Sequence, residues 1–237
     1  MNTVHEGEKA PGEGKERCEM NKNPEEKKIS PAVIARLSRY YRFLRELKAK
    51  GVERISSAQL SKMMDLTASQ IRQDFNCFGG FGQQGYGYNV EYLYGQLKKL
   101  LGAEEGFTAV IIGTGNLGSA LAHAQTFERR GITVTGLFDV SDRVVGKEMA
   151  GLKVRPVGEL AAAYEEQPFD IAVLCVPKSA AQECADAATG LGVKALWNFT
   201  GIEVRVPDEC IVENVHLGDS LLTLAYKLRT DRENGEK

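Results

Sequence analysis

The run Gly113-Thr114-Gly115-Asn116-Leu117-Gly118 stands directly after a β-branched apolar stretch, Thr108–Ile112. Glycines at this spacing matter only between a strand and a helix, and that is the context here. Gly113 permits a sharp turn, Gly115 lets a pyrophosphate approach the backbone, and Gly118 lets the helix pack closely on the strand. The helix N-terminus then offers free N–H groups and a favourable dipole to an anion. Asp139 follows Gly118 by 21 residues, at the end of the next apolar run. A carboxylate there can accept from an adenosine ribose 2′-OH and repels a 2′-phosphate. The pattern predicts a dinucleotide site preferring NAD(H) to NADP(H).

The surrounding segments alternate strand and helix. Strands are expected over 108–112, 133–139, 170–176 and 194–198, with helices over 116–129, 158–166 and 179–191. Such alternation predicts a doubly wound parallel sheet with helices on both faces, a Rossmann domain over 105–215. The strand ends Val176-Pro177 and Trp197-Asn198-Phe199 are suited to line a cofactor pocket. Asp219 is expected to cap a last helix from Ser220 to about Leu228. Leu221, Leu222, Leu224, Ala225 and Leu228 cover much of its circumference. A helix so apolar requires burial on more than one side, against a second subunit. Residues 216–230 are assigned to this helix and 231–237 to a tail.

The N-terminal part reads differently. Residues 30–50 carry Ile34, Leu37, Tyr41, Leu44 and Leu47 at helical spacing, after Ser30 as N-cap and Pro31 at N1, with Gly51 as terminator. Ser56-Ser57-Ala58-Gln59 and Thr67-Ala68-Ser69-Gln70 are two capping boxes opening short helices across a tight turn at Asp65-Leu66. Helix, turn, helix at this spacing fits a helix-turn-helix. The glycine- and aromatic-rich stretch 79–88 predicts a β-hairpin wing. A helix over 90–101 closes a domain of residues 26–104. That domain holds 13 Lys/Arg against 7 Asp/Glu, whereas 105–237 hold 13 against 19. A basic front on an acidic back points the front at a polyanion. Thr67, Ser69, Gln70, Arg72 and Gln73 lie on or near the face that can enter a major groove. Arg can fork to guanine and Gln to adenine, while Ser and Thr suit phosphates. Helix-turn-helices also serve protein–protein modules.

Other classes are disfavoured. Residues 1–25 have almost no apolar anchors and read as a disordered tail. No long apolar run or signal-peptide core occurs, so a cytoplasmic location without a membrane partner is expected. The five cysteines, Cys18, Cys77, Cys175, Cys184 and Cys210, form no C-x-x-C pair, which argues against disulfides and metal. The histidines are His5, His123 and His216. None has the setting of a catalytic proton donor, and no substrate domain follows, so no enzyme is expected. The alternative is a small NAD-dependent oxidoreductase with a helical N-terminal appendage, using His123 or His216.

Three stretches together resemble the Rex family of redox-sensing repressors, over about residues 30–229. They are Ile55-Ser56-Ser57 through Gln70-Ile71-Arg72-Gln73-Asp74-Phe75, then Phe78-Gly79 and Gly85-Tyr86-Gly87-Tyr88-Asn89-Val90; Gly113–Gly118 with Phe138-Asp139; and Val176-Pro177, Asn198-Phe199 and Val212-Glu213-Asn214-Val215. The resemblance implies a homodimer with a domain-swapped C-terminal helix. It would bind palindromic operators when NADH is scarce and leave them when NADH binds. Gly113, Thr114, Gly115, Asn116, Leu117, Gly118 and Asp139 would hold the dinucleotide. Val176, Pro177, Phe199 and Leu217 would surround the nicotinamide. Arg72 and Gln73 would read base edges, with Gln83 and Gln84 at the wing tip. Some members have Lys in place of Gln73 and Arg in place of Gln84, so a shallower salt dependence is expected here. Some pair an Asp before the last helix with a Tyr after the glycine loop, the Asp switching to an Arg of the first helix. The aligned residues here are His216, Ala124 and Arg42. Asp219 is the candidate substitute, and His216 could make the response pH-dependent.

Overall fold

A computed structural model describes residues 30–77, 82–83, 86–124 and 127–235. The expected tail, 1–25, and Gln84 of the expected wing tip lie outside the described residues.

Helix α1 (Pro31–Ala49) begins where Ser30 Oγ accepts from the Val33 N–H. It ends in a Schellman motif: Gly51 turns left-handed at φ +71°, and the Val52 N–H reaches the Leu47 carbonyl at 3.0 Å. Its buried stripe is Leu37, Tyr40, Tyr41, Leu44 and Leu47. Ile34, expected on that stripe, is 45% exposed, and Tyr40 is fully buried. Helices α2 (Ser57–Met64) and α3 (Ala68–Asn76) follow the short strand β1 (Arg54–Ile55). Ser56 forms both halves of its capping box. Thr67 forms one half only: its hydroxyl accepts from the Gln70 N–H at 3.1 Å, but the Gln70 amide turns to Asp74 Oδ1 at 3.0 Å. The charge-assisted bond that Gln70 Nε2 donates to the carboxylate holds the amide toward Asp74, so its oxygen does not accept from the Thr67 N–H as the box requires.

Asp65 makes the turn between α2 and α3 in the left-handed region, φ 54°. Arg39 donates to the Met64 carbonyl at 2.8 Å, closing the end of α2. Strands β2 (Gly82–Gln83) and β3 (Gly87–Asn89) pair antiparallel, and β1 joins the far side of β3. The expected hairpin is thus part of a three-stranded sheet. Helix α4 (Val90–Leu100) lies against α1, with Val90, Leu93 and Leu97 fully buried. Each such side chain contributes roughly 1.5–3 kcal/mol.

The second domain contains β4 (Thr108–Ile112), α5 (Asn116–His123), β5 (Thr133–Asp139), β6 (Glu148–Met149), β7 (Leu152–Pro156), α6 (Leu160–Glu166), β8 (Ile171–Leu174), α7 (Lys178–Gly190), β9 (Ala195–Asn198) and β10 (Ile211–Asn214). The sheet order is β10-β9-β8-β4-β5-β7-β6, parallel except for β6. Helix α5 stops at His123, short of the expected 129. Ala124 is extended, and a 3-10 turn at Glu128–Arg130 follows buried Phe127. Helix α8 (Leu217–Gly235) starts before and ends after the span expected for it. Asp219 lies within its first turn and is not its cap: the Asp219 N–H donates to the His216 carbonyl at 3.1 Å.

Helices α6 and α7 cover one face of the sheet. Helix α5 and Phe127 cover part of the other. No helix connects β9 to β10, so among the described residues no helix covers the second face over β8, β9 and β10. There Phe127, Ile132, Ile171, Trp197 and Ile211 line an apolar groove of about 470 Å³. Helix α8 meanwhile leaves Leu217, Leu221, Leu222, Leu224, Tyr226 and Leu228 each at least half exposed.

Candidate dinucleotide site and nucleic-acid interface

The carboxyl ends of β4, β5, β8 and β9 bring the predicted cofactor residues to one edge. The chain leaves β4 for β5 on one side, while β8 flanks β4 on the other. This is the topological switch point where open α/β sheets take ligands. Gly113 adopts φ +93°, and a Cβ there would lie 2.6 Å from the Cys175 carbonyl oxygen. A Cβ on Gly118 would lie 1.8 Å from the Gly113 carbonyl oxygen, so the helix meets the loop with no space for a side chain. Gly115 faces open space, with nothing within 4 Å of its would-be Cβ. It stands as N-cap of α5 without a side-chain cap, leaving the N-terminal amides of Asn116 and Leu117 beside a bare backbone.

Asp139 closes this loop. Its Oδ2 accepts from the Thr114 N–H at 2.6 Å and the Thr114 hydroxyl at 2.8 Å, and Oδ1 accepts from the Ser141 N–H at 2.9 Å. Burial pushes the carboxyl up, but the bonds from Thr114 and Ser141 outweigh it and hold it below the ordinary carboxylate range. An ionised carboxylate keeps further lone pairs for a ribose hydroxyl. Val176 and Pro177 follow β8 directly, with Val176 against Gly113. Phe199 follows β9 and packs edge-on against Trp197 at 4.6 Å. Leu217 is different: it opens α8 and is 64% exposed.

On α3, Ser69, Arg72 and Gln73 are exposed. Arg72 donates to Ser57 Oγ at 3.1 Å, across to the start of α2. Thr67 and Gln70 are occupied within the domain, as described above. Strand β2 carries Gln83 in the wing. The switch candidates are separate: no hydrogen bond or ion pair joins Arg42 to His216 or Asp219 among the described residues. Arg42 instead borders a crevice of about 180 Å³ with Tyr41, Arg45, Phe107 and Arg130, between α1 and the sheet domain. His123, of the alternative enzymatic reading, is exposed with Nδ1 on its own helix, 2.8 Å from the Ser119 carbonyl.

The roles of two groups escaped the sequence reading. Asp74 is 2% exposed and accepts from Arg36 Nε and Nη2 at 2.7 and 2.8 Å, from the Tyr40 hydroxyl at 2.7 Å, and from Gln70. It ties α3 to α1. The only signal for it was a carboxylate four residues after Gln70, opposite an arginine-rich helix. The second group is Asn198 with its partners, described below.

A basic helix-turn-helix with a wing, joined to a Rossmann sheet with an open glycine loop, defines a DNA-binding protein that carries a dinucleotide-type domain. The comparisons agree in both halves. A family model described as "Putative DNA-binding protein N-terminus" matches residues 28–76, and one described as CoA binding domain matches 105–202. The redox-sensing transcriptional repressor Rex of Thermoanaerobacter pseudethanolicus is 49% identical over 86% of this chain and 91% of its own. That of Clostridium botulinum strain Alaska E43 is 46% identical over 90% of this chain and 100% of its own. The crystal structure of RSP with β-NAD⁺ and operator DNA is 47% identical, with a TM-score of 0.80, over 89% of this chain and 97% of that one. RSP with β-NADH is 44% identical, with a TM-score of 0.81, over 89% and 99%. The chain belongs to the Rex family of redox-sensing transcriptional repressors.

Proposed function

We propose that this chain is a homodimeric repressor that binds palindromic operator DNA when NADH is scarce and is released by NADH. The observation that carries this reading is the match, over nearly nine-tenths of the chain, to a repressor captured both on operator DNA and with NADH. Residues 26–104 form the DNA-binding domain, 105–215 the NAD(H)-binding domain, and α8 (Leu217–Gly235) the dimer helix. Arg72, Gln73 and Ser69 contact the major groove and Gln83 and Gln84 the adjoining backbone, while Thr67 and Gln70 support the helix from within. Gly113, Thr114, Gly115, Asn116, Leu117 and Gly118 cradle the pyrophosphate, and Asp139 takes the ribose. A repressor of this kind works in the cytoplasm, where operator and NADH pool meet.

The dimer follows from complementary deficits. Among the described residues, each chain has a sheet face without a helix and a helix without a sheet. Exchange of α8 between two copies covers both. The swap would bring the partner's Leu217 to the apolar wall of Val176, Pro177 and Phe199. That wall penalises the pyridinium charge of NAD⁺ and admits the neutral ring of NADH. Arg42, His216 and Asp219 lie where α1 and the base of a swapped helix would adjoin.

The test uses a palindromic site selected from a random DNA pool and followed by fluorescence anisotropy. NADH should release the site at concentrations where NAD⁺ and NADPH do little. An operator affinity unchanged by saturating NADH would contradict the reading.

A further inference from the structure

Asn198 ends β9 with an amide that is 1% exposed and fully occupied. Its Nδ2 donates to the Ile202 carbonyl and to Asn214 Oδ1, both at 2.7 Å. Its Oδ1 accepts from the Thr200 N–H at 3.1 Å and the Thr200 hydroxyl at 2.7 Å. Two donors and two acceptor lone pairs are all that an amide has. The backbone joins in: the Asn198 carbonyl accepts from the Val215 N–H at 2.8 Å, and the Phe199 N–H donates to the Leu174 carbonyl at 3.0 Å. Asn198 and Asn214 are register partners across β9 and β10. One side chain therefore fastens the loop after β9 to the last residue of β10. Phe199 lies on one side of this joint. Val215, His216 and α8 lie on the other.

We propose that Asn198, Thr200 and Asn214 are the joint through which occupancy of the nicotinamide pocket sets the direction of α8. This rests on the reading that the pocket beside Phe199 takes NADH. Asn198 acts as a positioning residue. A buried amide with no spare capacity has no other partner to move to, so a shift of Phe199 carries the 198–202 loop and Asn214 together. The lever is long. Nineteen residues of helix span about 28 Å, so a turn of about 5° at the base moves the far end by about 2.5 Å. Exchanged between subunits, such a helix converts a pocket-sized displacement into a change between subunits.

The test separates coupling from binding in the full-length dimer. Asn214→Leu removes the acceptor of the Asn198 amide, and Asn214→Asp keeps it. Thr200→Val removes the hydroxyl donor at constant shape, and Thr200→Ser keeps it. For each protein, operator affinity is measured without and with saturating NADH, and NADH affinity is measured by energy transfer from Trp197. In the wild type, N214D and T200S, NADH should weaken operator binding by a shared factor, roughly 5–150-fold. In N214L and T200V each ligand alone should bind within about threefold of wild type, while that factor falls below about threefold. A factor unchanged in both variants, or reduced only as far as NADH affinity itself falls, overturns the joint. Should N214L fail to fold, the T200V and T200S pair decides. A wild type indifferent to NADH would instead overturn the functional reading.

Discussion

Asp74 accepts four hydrogen bonds from three side chains, and its effect should be measurable at several pH values. Asp74→Ala leaves Arg36 and Tyr40 without their acceptor and should cost about 2–3 kcal/mol of unfolding free energy by urea titration. Burial raises the Asp74 carboxyl, but the bonds from Arg36, Tyr40 and Gln70 outweigh it, so the folded value lies below the unfolded one. The stability it contributes is therefore fully present above the unfolded value, near pH ~3.9, and is lost as pH falls through the folded one. The stability gap between wild type and Asp74→Asn should be constant from about pH 5 to 7 and shrink below about pH 4. A gap that widens in acid would contradict this. Gly118 offers a sharper test at the same scale. The Cβ of Gly118→Ala would meet the Gly113 carbonyl at 1.8 Å, forcing the loop and α5 apart. NADH affinity, read by energy transfer from Trp197, should fall by at least about tenfold, equal to about 1.4 kcal/mol.

Among the elements, the most instructive is α8, whose apolar side chains have no cover among the described residues. The stripe of Leu217, Leu221, Leu224 and Leu228 repeats at helical spacing and is exposed throughout. A double substitution, Leu221→Asp with Leu224→Asp, should yield monomer in sedimentation equilibrium while α1 to α4 stay folded. Dimer persisting at micromolar concentration would rule out α8 as the dimer element. On α3, Arg72→Ala should weaken operator binding by about 1–3 kcal/mol and relax preference at one base position. The elements legible from sequence were those with local signatures: the Ser56 box, the Schellman glycine at Gly51, and the glycine loop after β4. Strand β10 was missed because Ile-Val-Glu-Asn is short and carries only two apolar residues. Strand β7, Leu152–Pro156, was missed for the same reason, with Lys153 and Arg155 among its five residues. The early end of α5 reflects tertiary demand, since Phe127 turns into the core beside Trp197. The reach of α8 beyond Leu228 is carried by polar residues that give no apolar period to read. For the candidate site, the residue types were legible but their partners were not. Nothing local announces that Thr114 clasps Asp139, or that Gln70 turns inward to Asp74.

At the scale of the molecule, two binding halves meet through one connection. Gly131 shows how tightly: a Cβ there would meet the Ala103 carbonyl, in the segment between α4 and β4, so that segment is packed against the sheet domain. In the proposed dimer, this packed segment and an exchanged α8 would hold the DNA-binding domains at two points. Recognition helices must stand roughly one DNA turn (~34 Å) apart, or a multiple of it, to read a palindrome. A modest rotation of the subunits is then enough to abolish binding. Such a device obeys linkage, because two ligands preferring different states of one dimer oppose each other by the same factor. The most direct measurement is therefore a reciprocal titration on one preparation, giving operator affinity with and without saturating NADH and NADH affinity with and without saturating operator. A repressor gated by NADH gives the same factor in both directions, roughly 5–150-fold, with NAD⁺ giving a much smaller one. Factors of one in both directions would mean that the dinucleotide domain and the DNA-binding domain share a chain without sensing each other.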